Sequence, residues 1–151
     1  MGMVITPASI SVTRLDRAAT DTVTGGTVSL YTIAGGRILL FGFVAQIVVA
    51  HAAGVSTLKF QSNPTTGTTT ALCATLDVDA DAAETLYTMD GVTTNALRRS
   101  EHGGLADPLW GNPFVLPIGA IESVSGTDRD GGTIRFSAWW TPFDNAGVLS
   151  V

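Results

Sequence analysis

The apolar positions of this chain concentrate in one unbroken run, Ile38 to Ala50 (ILLFGFVAQIVVA), entered from Gly35-Gly36-Arg37 and left through His51-Ala52-Ala53-Gly54. The run is too short for a membrane span, which needs about 20 apolar residues at helical rise. As a helix it would be apolar all round, and Gly42 would cost roughly 1 kcal/mol against Ala. Its Ile, Val and Phe content suits a strand, with Gly42 marking a bulge or a close backbone approach. The pattern predicts a long strand buried on both faces, against its own core on one side and a partner on the other. Phe41, Phe43, Val44 and Val48 are its candidate interface residues, and an Asp at Val44 or Val48 is expected to hurt assembly as much as folding.

Elsewhere the pattern has period two. Val28, Leu30 and Ile33 predict one strand, and Leu58 and Phe60 alternate with Thr57, Lys59 and Gln61 in another. Leu72, Ala74, Leu76 and Val78 alternate in a third, and Phe114 to Leu116 and Ile118 to Val124 add two more. Ile134, Phe136, Ala138 and Trp140 alternate in the last, Thr133 to Phe143. Asn63-Pro64-Thr65-Thr66-Gly67 is a turn by chemistry, and Thr127 to Thr133 reads as a hairpin connection. About seven to nine strands with Gly and Pro turns predict an all-β protein, a single-domain antiparallel β-sandwich that is jelly-roll-like. Residues 1–25 read as an N-terminal arm or short strand. Residues 26–151 read as the sandwich, with an irregular excursion at about 80–112 that a compact domain usually devotes to an interaction.

Composition adds a way of life. Charged residues make up 14% of the 151, well under the roughly 25% usual for soluble domains. Lysine occurs once and threonine 21 times, so the polar faces use hydroxyls in place of charges. Such a surface suits a protein covered in an assembly. A net charge of −5 argues against sequence-independent nucleic-acid binding, which needs clustered Lys and Arg. One cysteine, Cys73, excludes an internal disulfide framework and reads as a small buried side chain. The N-terminus has neither the positive region nor the apolar stretch of a signal peptide, so the chain is expected to be made and used in a cytoplasm, or assembled there and released, with no membrane partner.

Candidate chemistry is sparse. Asp77, Asp79 and Asp81 resemble the opening of a calcium loop, but Ala82 and Thr88 stand where that loop needs Gly and Glu. The two readings are a solvated acidic strand end leading into a turn, and a looser calcium site using Asp77, Asp79, Asp81 or Glu84. His51 and His102 lack companions at metal-ligand spacing. No nucleophile elbow, phosphate loop or dinucleotide fingerprint occurs, so neither an enzyme nor a cofactor is expected. Trp139 and Trp140 must point to opposite faces of a strand. With Trp140 inward, Trp139 is an interface anchor, a sugar-stacking platform, or a ring half covered by the domain's own loops. Trp110 carries the same alternatives in its loop.

Five segments together resemble the head-surface proteins of tailed bacteriophages, in particular capsid decoration (cement) proteins. They are TIAGGRILL from Thr32, LKFQSNPTTG from Leu58, LCATLD from Leu72, FVLPIGAI from Phe114 and IRFSAWWTPFD from Ile134. The resemblance spans roughly residues 26–144 and rests on strand and turn motifs. It implies a jelly-roll-like sandwich, a homotrimer bound to the major capsid protein on the virion surface, and no catalysis. The alternative is a tail- or fibre-associated module that binds carbohydrate or receptor through Trp110 and Trp139.

Overall fold

The computed structural model describes residues 11–79, 81–101, 109–129 and 131–151, which contain strands, turns and no helix. The strands are β1 (Thr13–Thr20), β2 (Thr27–Ala34), β3 (Ile38–Val49), β4 (Thr57–Pro64), β5 (Thr70–Ala71) and β6 (Leu76–Asp77). They continue with β7 (Leu86–Thr88), β8 (Arg98–Ser100), β9 (Leu109–Leu116), β10 (Gly119–Ser125), β11 (Thr133–Pro142) and β12 (Val148–Ser150). A front sheet runs β1-β11-β3-β7-β8, with β9 also paired to β3; a back sheet runs β12-β2-β10-β4-β5, with β6 paired to β4. The strand pairs are antiparallel, and the two sheets face each other as a β-sandwich.

The apolar run becomes the spine of the front sheet. β3 pairs with β11 along its length and with β9 and then β7 on its other edge. Its inner face supplies Ile38, Leu40, Phe43, Ala45 and Ile47 to the core. Phe43 sits at the centre, with ring centroids of Phe60, Phe136 and Tyr31 at 4.7, 5.9 and 6.2 Å. The Tyr31 contact is edge-on, a geometry the ring quadrupole favours.

Gly42 does mark a bulge. Trp140 pairs with Leu40 and Trp139 with Gly42, so Phe41 is the extra residue. The inward parity switches there from even to odd numbers, since a bulge places two successive residues against one partner. That switch corrects one expectation. Phe43 is fully buried and lies on the inner face, so it is a core residue and not part of the outer surface.

Two glycines at the entry to β3 are required by close approach. Gly35 has φ +73°, and a Cβ there would meet the Ala146 carbonyl oxygen at 2.1 Å. At Gly36 it would meet the Asp144 Cβ at 2.8 Å. Arg37 then clamps the turn before β12, donating from its backbone N–H and two guanidinium nitrogens to Asp144 at 2.9–3.0 Å. These hydrogen bonds hold the Asp144 carboxyl below the usual carboxylate range.

Three other segments differ from expectation. The Thr127–Thr133 connection is not a hairpin: β10 is flanked by β2 and β4, and β11 by β1 and β3, so the loop crosses between the sheets. The strand expected over 72–78 is broken. Leu72 and Cys73 are both buried in a bend between β5 and β6, and only Leu76–Asp77 of that stretch is strand. Cys73 turns in to accept a hydrogen bond from the Phe60 N–H at 3.3 Å, and burial pushes its thiol pKa up to about 11. The 80–112 stretch is not wholly irregular either, because β7 and β8 extend the front sheet from it. Within residues 1–25, β1 is a full edge strand; residues 1–10 lie outside the described residues.

Candidate interaction surface

The outer face of the front sheet gathers most of the candidate residues. Leu39, Phe41 and Val44 of β3 are half-buried there, and Val48 is 38% exposed. Trp139 also faces outward, as alternation with buried Trp140 requires, and lies opposite Gly42. Arg14 reaches across from β1, its guanidinium carbon 5.4 Å from the Trp139 ring centroid. A cation over an indole face is attracted by the ring quadrupole and takes up one stacking surface. The backbone of Trp110 lies in β9, and its side chain falls outside what is described.

Gln46, the polar residue within the apolar run, is explained by this face. Its Oε1 accepts from Arg135 Nε at 2.7 Å, and its Nε2 donates to Glu84. A second polar group lies one pleat away. Asp16 accepts from Ser137 Oγ at 2.6 Å and from Arg14 Nε at 2.8 Å, and these bonds hold its carboxyl below the ordinary range. The face is therefore apolar toward Leu39, Phe41 and Val44 and polar between β1 and β3. Arg14, Asp16 and Arg135 had no signal in the chain order, because pairing across 123 residues brings Arg14 and Ser137 together.

The acidic triplet does not converge. Asp77 accepts from the Asp79 N–H, and Asp79 from the Gly54 N–H. Asp81 turns inward, where its buried carboxylate accepts from Tyr87 OH and from Arg99 Nη1 at 2.8 Å. Burial first, and then Asp81, raise the Tyr87 phenol well above its ordinary value. No group of three or more His, Cys, Asp or Glu side chains that could hold a metal occurs among the described residues. Behind Asp81 lies a cavity of about 10 Å³, room for one water, lined by Tyr87, Ile47, His51 and Arg129.

His51 closes β3 at this end and His102 lies outside the described residues. The His51 ring packs where a Cβ on Gly132 would meet it at 2.2 Å, and its Nε2 is 3.5 Å from Asp21 Oδ1. Burial holds its pKa below the ordinary 6.5, and Asp21 opposes this only in part. The fold thus favours the neutral imidazole, while the unfolded chain takes up a proton below 6.5. The stability His51 contributes is complete above that pH and is lost as pH falls from 6.5 through the depressed value. Thermal midpoints are expected to fall across that window, with a shallower fall in His51→Gln. Equal slopes in the two proteins would remove His51 as the cause.

Compared with protein-family models, curated proteins and solved structures, the chain matches none. Among the described residues, no helix is long and apolar enough to cross a membrane.

Proposed function

We propose that this chain is a structural protein of a tailed-bacteriophage virion, a head decoration (cement) protein that binds the major capsid protein as a homotrimer. The observation that carries the reading is the outer front-sheet face, where Leu39, Phe41, Val44, Val48 and Trp139 occupy a surface that a free monomer would keep polar. Low charge supports it, and so does the make-up of the face, since Trp and Arg are enriched at the centres of protein interfaces. Homo-oligomers favour closed symmetry, which a trimer satisfies. In this reading the protein contributes surface, not chemistry, and stabilises the shell by bridging capsid subunits.

The carbohydrate-binding alternative asks for an open indole platform, and Arg14 takes up one face of Trp139. Co-sedimentation of the purified protein with expanded empty capsids is the direct test, and saturable binding is expected. Failure to bind heads, with the protein recovered on tails, would end the decoration reading.

A further inference from the structure

The polar end of the same face contains a cleft whose construction points to a ligand. In β1, Arg17 pairs with Phe136 and Thr20 with Ile134, so Ala18 and Ala19 both stand opposite Arg135. This bulge turns two successive side chains toward one face, and both alanines are exposed. Because they are methyl groups, they leave an open cleft of about 400 Å³ walled by Arg14, Arg17, Asp16, Arg135, Ser137 and Val48.

The charge of this cleft runs against that of the chain. Three of the eight basic residues line it, with one of the thirteen acidic residues, in a protein of net charge −5. Asp16 is matched by Arg14 and Ser137. Arg17 donates to the Leu30 carbonyl at 2.7 Å, and its Nε finds no acceptor among the described residues. Arg135 uses only Nε, on Gln46, which leaves its terminal nitrogens without an acceptor among the described residues. A guanidinium edge presenting parallel N–H groups matches a carboxylate.

We propose that this cleft is a carboxylate-binding site that takes an aspartate or glutamate side chain from an acidic segment of the protein partner docked on the front sheet. The inference rests on the reading of that sheet as a protein-docking face, and charge complementarity selects the occupant. Val48 at the cleft wall, and Val44 beyond the Gln46-Glu84 pair, would receive the residues flanking the carboxylate. An acidic partner is repelled by most of this chain, so the cleft would also set the docking register.

The test uses the isolated protein and a short capped glutamate-rich peptide as probe, followed through backbone amide resonances. Saturable shifts centred on Ala18, Ala19 and Arg135 are expected, weakening as salt is added. Arg135→Gln should weaken binding about tenfold or more, as loss of a charge-assisted hydrogen bond implies. Ala18→Leu should block it by filling the cleft, and Arg98→Gln, on the same sheet outside the cleft, should bind as the parent does. Thermal midpoints confirm that each variant is folded. The proposal is overturned by the absence of saturable shifts, by parental binding in both cleft variants, or by glucuronate or inorganic phosphate binding there more tightly than the peptide. The two readings fail separately. A parent that binds peptide but not capsids ends the decoration reading and keeps the carboxylate site; an Arg135→Gln protein that loses peptide yet binds capsids undiminished removes the cleft from docking.

Discussion

Phe43→Ala is expected to lower the free energy of unfolding by about 3–5 kcal/mol, the range for removing a buried aromatic ring. The ring has no exposed surface and touches Tyr31, Phe60 and Phe136, which come from three other strands and both sheets. Those neighbours are held by their own strand pairings, so they can collapse only partly into the space left, and a cavity is added to the lost transfer energy. Against a total stability of about 5–15 kcal/mol for a domain, this is a large fraction. Urea denaturation should show a lower midpoint with the slope unchanged. A cost under about 1 kcal/mol would place Phe43 outside the core and undo the parity switch at Gly42.

Val48→Asp is expected to do the opposite. The side chain is 38% exposed on the outer face, in a bulge where Val48 and Val49 lie opposite Thr133. Surface substitutions of this kind usually change stability by no more than about 0.5 kcal/mol. A carboxylate here would stand on the docked face beside the guanidinium groups of the arginine-lined cleft and compete there with the partner's acidic side chain, so capsid binding and self-association should fall at least tenfold, about 1.4 kcal/mol. Sedimentation velocity on the variant, alongside capsid co-sedimentation, reads both effects. An oligomer and a capsid affinity equal to the parent's would make this face solvent and remove the main support for the assembly reading. The structure thereby separates two effects that the apolar pattern alone joins: Phe43 reports folding, and Val48 reports docking.

The long apolar strand, the outward Trp139 with its inward neighbour, and the glycine turn before β3 were all legible along the chain. Each is a local matter. Alternation assigns faces within a strand, and Gly35-Gly36 answers a backbone conformation and contact that a side chain would block. The same local rules misled where burial demanded otherwise, as at Leu72-Cys73, where two adjacent side chains both go inward. They also misled at Thr127–Thr133, because turn chemistry is the same whether a loop joins paired strands or crosses between sheets.

By itself, then, the chain order determined an all-β protein of low charge built around Ile38–Ala50, since strand propensity, period and composition are properties of neighbouring residues. Only the tertiary structure decided which residues of that strand face out, because a bulge at Phe41-Gly42 reverses the parity from there to the second bulge at Val48-Val49. It alone assembled the arginine-lined cleft too, since Ala18 and Arg135 meet only when the first strand pairs with the eleventh.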